Sequence, residues 1–368
     1  VADYKVGIIG CTGRGDYGHG LDAFWKSLDN CHVAAVADPD EAGRIAAQVR
    51  TGAAKAYADY RELLDRERPD IVAVCPRWAD QHHDMLLACA GYGCHMYVEK
   101  PLCRDLREAD EIIRACEMRH LKLAVAHLSR YSPQLVHVRQ LIESGEIGEV
   151  LEIRARGKED ARGGGEDLWV LGSHALDLMR AIAGDPEWCF ATLSQGGRRV
   201  SQDDVREGNE GLGPLAGDRV DAMFRFGRGV TGYFASQRSA GGSPSRFGLR
   251  ILGSRGQIEL TCGYATPASI MLDPTWSGAA GRGVWRTISS NGVDQPETLT
   301  ATGYDGGNPA AALDLFAAIE QDRQPLCSVY DARGAVELIM AVFESHRSAA
   351  PVPLPMASVT NPLRQLTL

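Results

Sequence analysis

Tyr97-Val98-Glu99-Lys100-Pro101 is a short β-branched run that ends in a carboxylate, an amine and a proline, which places a lysine at the tip of a strand. At the carboxyl ends of parallel strands, side chains face a ligand crevice and not a core. A lysine there can move a proton to or from a substrate hydroxyl when burial or a second cation draws its pKa down, with Glu99 anchoring the turn. These residues alone also fit a surface ion pair ahead of a loop proline. A second candidate lies far along the chain, where Gly163-Gly-Gly165 leads into a helix carrying His174 and Asp177. Three residues apart, the two share a helix face. An imidazole there can polarise or deprotonate a hydroxyl, with Asp177 or another acid orienting it; it can also be a half-buried histidine bonded to a carbonyl. A metal on this pair would lack a third ligand, so no metal is expected.

A third group of residues has the layout of a dinucleotide loop. Lys5 to Ile9 reads as a strand, followed by Gly10-Cys11-Thr12-Gly13-Arg14-Gly15 and a predicted helix from near His19 through Phe24 and Leu28. Glycines let the backbone turn tightly and approach a pyrophosphate, whose charge then faces free N–H groups at a helix start. Against G-x-G-x-x-G, Gly10 and Gly15 match and Thr12 stands in the middle, with Gly13 alongside to supply backbone freedom. The next strand, His32 to Ala37, ends at Asp38-Pro39-Asp40. A carboxylate at Asp38 would accept hydrogen bonds from ribose hydroxyls and repel a 2′-phosphate, favouring NAD over NADP. It can also serve as a helix cap, since Asp40 to Arg50 looks helical. Cys75-Pro76 ends a third strand, Asp70 to Cys75, where it can line the nicotinamide side. His82 and His83 open the following helix and point in different directions, which argues against a metal held between them.

These groups must be carried by elements that alternate strand and helix up to about residue 128, as in a doubly wound parallel sheet. Helices are predicted over Tyr60 to Asp65, Asp80 to Ala90 and after a capping box at Asp105-Leu-Arg-Glu108, and a last strand over Lys122 to Ala126. Beyond that point Leu151, Ile153 and Ala155, and again Val220, Ala222, Phe224 and Phe226, alternate with polar residues. Turns at Gly227-Arg-Gly229 and Gly253-Ser-Arg-Gly256 suggest antiparallel hairpins in an open sheet, with one face covered by helices or by another subunit. Helices are expected from Pro309 to Glu320 and from Ala332 to His346. Residues 197–217 and 276–306 read as long loops of the kind that border a site.

Composition narrows the class. At 368 residues the chain exceeds what a single core usually supports, so two domains are expected. With 39 basic and 48 acidic side chains its formal charge is −9, and no basic cluster interleaved with aromatics stands out; nucleic acid is an unlikely partner. Ten cysteines without a C-x-x-C pair read as reduced thiols. The first residues enter a strand directly, without the pattern of a signal peptide, and no apolar run approaches the roughly 20 residues that span a bilayer. A cytoplasmic protein without a membrane partner is the expectation.

Taken together, the chain resembles the glucose-fructose oxidoreductase / inositol dehydrogenase / MocA (Gfo/Idh/MocA) family from end to end. The resemblance rests on Val6-Gly-Ile-Ile-Gly10 with Gly13-Arg-Gly15, on His82 ahead of Gly93-Cys-His-Met-Tyr-Val-Glu-Lys-Pro101, on Gly172-x-His174-x-x-Asp177, and on the segment from Ser345 to Pro355. It implies an α/β protein: an NAD-binding Rossmann domain over 1–128, and over 129–368 an α/β domain with a large, mainly antiparallel open sheet for substrate binding and oligomerisation. The implied activity is hydride transfer between nicotinamide and a secondary hydroxyl of a sugar, glycoside or cyclitol, in a homodimer or homotetramer. Lys100 and His174 would flank that hydroxyl. Gly10, Thr12, Gly13, Arg14, Gly15, Asp38, Cys75, Pro76, His82, Glu99 and Lys100 would border NAD, and Arg130, Arg162, Trp169 and Asp177 are the implied substrate contacts. Two departures stand out. Many members carry an aspartate four residues before the helix histidine, where this chain has Val170, leaving either Glu166 or Asp167 in its role or the proton relay resting on Lys100 and His174 alone. The segment from Cys75 to His82 is also two residues longer than the common form. Two rival readings follow from the same family: a lyase or glycoside hydrolase that retains its NAD, and a non-catalytic sensor of NAD or sugar.

Overall fold

The structure, a computed structural model, describes residues 3–277, 281 and 283–366. Of the loop expected over 276–306, residues 278–280 and 282 therefore lie outside the described residues. The chain falls into two compact units. The first takes the chain up to Leu128 together with Asn209–Gly213 and Tyr304–Arg333; the second takes Ser129–Gly208, Pro214–Gly303 and the chain from Gly334 on. A single cut at residue 128 leaves two later segments out of the first unit. They belong there because Asn209–Gly211 packs on Ala79–Gln81, and because Asn308 bonds both Tyr97 and the carbonyl of His19.

In the first unit, β1 (Tyr4–Ile9), β2 (Cys31–Ala37), β3 (Lys55–Tyr57), β4 (Ile71–Val74), β5 (His95–Val98) and β6 (Leu123–Val125) form a parallel sheet in the order β3-β2-β1-β4-β5-β6. This is the doubly wound order, and its direction reverses between β1 and β4, so the ligand crevice is expected beyond their carboxyl ends. β4 is buried at every position, as is β5 after His95, which is why both read as continuous apolar runs without alternation. Helices α1 (Glu41–Thr51), α2 (Tyr60–Glu67), α3 (His82–Gly91) and α4 (Leu106–Glu117) make the crossovers. Asp40, Asp59 and Asp105 cap α1, α2 and α4 by accepting from backbone N–H groups of the first turn. The capping box expected at Asp105 is only half formed, because Glu108 reaches back to the N–H of Arg104 and not to that of Asp105.

The helix expected from near His19 to Leu28 does not form. Between β1 and β2 the chain makes successive turns and a single 3₁₀ turn, Trp25–Ser27. Asp16, Gly18 and Gly20 have φ of +52°, +59° and +77°, and three left-handed residues within five positions exclude a right-handed helix. Leu21 and Trp25 are still fully buried, so the segment packs on the sheet without being helical.

The second unit begins with α5 (Pro133–Glu143), β7 (Val150–Arg156), α6 (Gly165–Val170), α7 (Gly172–Ala183) and β8 (Pro186–Gln195). It continues with short β9 (Arg198–Arg199), β10 (Arg206–Glu207) and β11 (Pro214–Leu215), then β12 (Arg219–Phe226), β13 (Thr231–Gln237), β14 (Gly248–Gly253) and β15 (Gln257–Thr261), and then β16 (Ala268–Met271), β17 (Arg286–Ser289) and β18 (Gly292–Val293). After α8 (Gly303–Glu320) and α9 (Val329–Ser348), β19 (Val352–Pro353) completes an eleven-stranded sheet. The expected hairpins at Gly227–Gly229 and Gly253–Gly256 join β12 to β13 and β14 to β15, while β7 and β13 pair in parallel, so the sheet is mixed but mostly antiparallel. α6 and α7 pack on β7, β12, β13 and β14. Where β8 lacks a strand neighbour, α9 supplies acceptors: Ser345 Oγ for Ala191 N–H at 2.9 Å and His346 Nδ1 for Leu193 N–H at 3.1 Å. Polar groups left unpaired at such an edge would each cost about 1–3 kcal/mol. That gives the Ser345–Pro355 segment a structural role. No helix among the described residues is long and apolar enough to cross a membrane.

Candidate active site

The corner after β5 is the most heavily bonded part of the first unit. Glu99 is 1% exposed and accepts from His19 N–H at 3.2 Å, from Lys100 N–H at 3.0 Å, and pairs with His19 Nδ1 at 2.9 Å. Burial alone would raise its carboxyl, but the charge and bonds of His19 and the charge of Lys100 outweigh that and hold it at about 2. Lys100 follows at 6% exposure, and the Lys100–Pro101 peptide is cis. His82, the first residue of α3, is fully buried: Nε2 lies 2.6 Å from the Pro76 carbonyl, Nδ1 2.8 Å from that of Pro101 and 3.2 Å from that of Leu102. It therefore ties the tip of β4 to the turn that carries Lys100. Cys75 and Pro76 are buried at that tip, where burial pushes the Cys75 thiol well above its ordinary value. None of the ten cysteines is in a disulfide.

His19 was not a sequence candidate, though it is the main partner of Glu99. Its ring stacks on Tyr304 at 4.7 Å, and its carbonyl accepts from Asn308 at 3.0 Å. Its position behind the glycine-rich loop was the only available signal, since its partners stand 80 and 289 residues away.

The loop after β1 turns back on itself through a bridge between Cys11 and Asp16. A Cβ on Gly10 would stand 2.2 Å from the ring of Tyr17, and one on Gly15 (φ +91°) 2.5 Å from the backbone nitrogen of Arg77. These two glycines are thus required by the chain's own packing. A Cβ on Gly13 would have nothing within 4 Å, so the loop's outer side is open. With no helix following, the expected macrodipole contribution to phosphate binding is missing here; what the loop offers is the Arg14 guanidinium.

Asp38, beyond β2, is 0% exposed. It accepts from Thr12 N–H at 3.1 Å, Thr12 Oγ1 at 2.7 Å and Asp40 N–H at 2.9 Å, while Asp40 makes the cap of α1. A cavity of about 610 Å³ opens beside it, walled by Gly10, Arg14, Pro39, Tyr60, Gln81 and Met85. Its place beyond the carboxyl ends of β1 and β2, its size and the adjacent buried carboxylate suit the adenosine part of a dinucleotide.

In the second unit His174 lies near the start of α7, half-buried, with its ring edge-on to Phe247 at 6.2 Å. Asp177 is fully buried and takes Arg130 through paired bonds of 2.8 and 2.9 Å, so the acid expected to orient His174 is a partner of Arg130. α6 and α7 are separate helices broken at Leu171 (φ −121°). Of the substitutes for the aspartate absent at Val170, Glu166 faces Arg206 at 3.3 Å. Asp167 accepts from Ser236 Oγ at 2.5 Å and from Glu159 N–H at 3.1 Å; burial raises its carboxyl despite those bonds. Trp169, expected as a substrate contact, is completely buried, which gives it a packing position. Arg162 is turned onto Asp160 at 2.6 Å.

Comparison with known proteins agrees with this geometry. Residues 4–127 match the description "Oxidoreductase family, NAD-binding Rossmann fold", and residues 135–259 match "GFO/IDH/MocA C-terminal domain". The chain belongs to the Gfo/Idh/MocA family of oxidoreductases, and its first domain is that family's NAD-binding domain. It is 26% identical to levoglucosan dehydrogenase of Pseudarthrobacter phenanthrenivorans over 91% of this chain and 93% of that protein. It is also 26% identical to myo-inositol 2-dehydrogenase of Thermotoga maritima, over 69% of this chain and 74% of that one. The fold superposes on the structure of a levoglucosan dehydrogenase in complex with NADH and levoglucosan with a TM-score of 0.78, at 22% identity, covering 96% of this chain and 100% of the other.

Proposed function

We propose that this protein is an NAD-dependent dehydrogenase acting on a secondary hydroxyl of a sugar, glycoside or cyclitol. The observation that carries the reading is the corner after β5, where a buried lysine is fixed at the tip of a parallel strand by Glu99 on one side and the His82-bound turn on the other. Lys100 takes the proton of the hydroxyl as general base, and His174 serves to polarise a substrate hydroxyl. NAD, when bound, supplies the acceptor for the hydride. Asp38 and the loop from Gly10 to Gly15 hold its adenosine and pyrophosphate, Pro76 and Cys75 border its nicotinamide half, and Arg130 with Asp177 forms a fixed ion pair behind the substrate. Relatives named for levoglucosan and myo-inositol support a cyclic polyol as substrate.

The protein is a cytoplasmic homo-oligomer in this reading. Ten cysteines without a disulfide suit a reducing compartment. Leu151, Phe190 and Tyr233, on strands of the large sheet, are each more than a third exposed, and a sheet surface of that kind calls for a second copy. Light scattering on the purified protein would read a dimer or tetramer.

The test of the activity is turnover of a panel of anhydrosugars, cyclitols and aldoses with NAD, followed by NADH absorbance. Wild-type protein is expected to reduce NAD with at least one of them. Lys100→Ala is expected to abolish turnover while NAD still binds; equal loss of both would reject the role given to Lys100. Product formed without net NADH would move the reading to a lyase or hydrolase that recycles its cofactor.

A further inference from the structure

Asp38, the N–H of Gly13 and Arg14, three groups in the cleft suited to recognise a dinucleotide, each hold a partner from the chain itself, and each partner resembles the part of the ligand it would give way to. Asp38, suited to a ribose diol, accepts the Thr12 hydroxyl at 2.7 Å. The N–H of Gly13, on the open side of the loop, donates to Asp16 Oδ1 at 2.9 Å. Arg14, the cation the loop offers, pairs with Asp80 Oδ2 and lies over the Trp78 ring at 4.8 Å, with Arg14 and Asp80 both on the wall of the 610 Å³ cavity. A hydroxyl thus stands where a hydroxyl would bind, and carboxylates where phosphate oxygens would bind.

These partners are not held equally. Thr12 Oγ1 is wedged against α1: a Cβ on Gly43 would stand 1.9 Å from it. Asp80 is poorly satisfied by comparison. Its Oδ1 is buried with no donor among the described residues, and the side chain of Arg14 is 47% exposed. An exposed pair of this kind contributes little to stability, and a pyrophosphate offers the same guanidinium more charge and more acceptors. Exchange of Asp80 for phosphate therefore costs little, but it is not free: a fixed negative charge stays on the cavity wall beside the incoming anion.

Building on the NAD-binding reading above, we propose that Asp80 and Thr12 set the affinity and selectivity for the dinucleotide by occupying Arg14 and Asp38 in its absence. Asp80 competes with pyrophosphate and acts alike on NAD and NADP. Thr12 competes with the ribose diol and acts on NAD alone, because the Asp38 carboxylate that it releases repels a 2′-phosphate.

Calorimetric titration of the full chain with NAD and with NADP tests this. Asp80→Asn is expected to tighten both by about three- to tenfold, the range set by losing a weak competing pair and one repelling charge. In an Arg14→Gln background the gain from Asp80→Asn should shrink to the smaller part owed to the lost repelling charge, which a general loosening of the loop would not produce. Thr12→Gly is expected to tighten NAD by about threefold and leave NADP unchanged, raising the ratio of the two. Wild-type binding of NAD with no gain in Asp80→Asn, or a gain undiminished in Arg14→Gln, would overturn the role of Asp80 and leave the NAD reading standing. Absence of NAD binding by the wild type would overturn both.

Discussion

The turn after β5 and the loop after β1 stand beyond the same edge of one sheet, yet they are built on opposite terms. Glu99 and His82 are buried, and each makes three contacts with backbone or imidazole groups that no ligand replaces. Thr12, Gly13 and Arg14 also have partners, but those are side chains whose chemistry a nucleotide can take over. A proton-transfer group must keep its position through the reaction, and fixed neighbours supply that. A binding loop has to release what it holds when the cofactor arrives. In this fold the chemistry is preorganised and the binding is an exchange.

The contrast can be broken in order of effect. Lys100→Ala removes the proposed general base and is expected to lower kcat by about 10²- to 10⁴-fold while NAD affinity, read by calorimetry, stays within about twofold. His82→Ala removes the ring set between the buried Pro76 and Pro101 carbonyls, leaving at least one of them without its donor and a cavity in place of the imidazole. At about 1–3 kcal/mol for each unsatisfied group, urea denaturation should show a loss of several kcal/mol; a loss under about 1 kcal/mol would mean that the corner is not held as described. Glu99 gives the pH arm. Its folded carboxyl is depressed to about 2 from an ordinary 4.5, so its contribution is fully present above pH 4.5 and is lost as pH falls toward 2. Glu99→Gln should therefore lower stability at neutral pH and flatten the acid limb of the stability profile, on the order of 3 kcal/mol across that window. An unchanged acid limb would remove Glu99 from the scaffold. The smallest effects belong to the exchange loop, where Asp80→Asn and Thr12→Gly change affinity only several-fold and in the direction of tighter binding.

Much of this was legible before any coordinates. Alternating apolar strands and helices, ending in Asp38, Cys75-Pro76 and Glu99-Lys100, are local patterns, and a doubly wound sheet puts strand ends on one side by its chain direction. The hairpins of the second unit announced themselves through period-two alternation and glycine turns. What failed was local as well: the helix expected from near His19 through Phe24 and Leu28 does not form, because Asp16 and Gly18 just ahead of it and Gly20 within its first turn are left-handed. The ring of Tyr17 and the backbone of Arg77 also require glycine at Gly10 and Gly15, a packing reason that the spacing alone does not give.

The sequence by itself determined the period of each element, the strand tips and the types of side chain that stand on them, because those depend on neighbours a few residues away. Only the tertiary structure decided who holds whom. Glu99 answers to His19, Asp177 to Arg130, Asp38 to Thr12 and Arg14 to Asp80, across separations of 80, 47, 26 and 66 residues. A hydrogen bond is chosen by distance and direction in space, and no spacing along a chain encodes either until the sheet has brought its strand ends together.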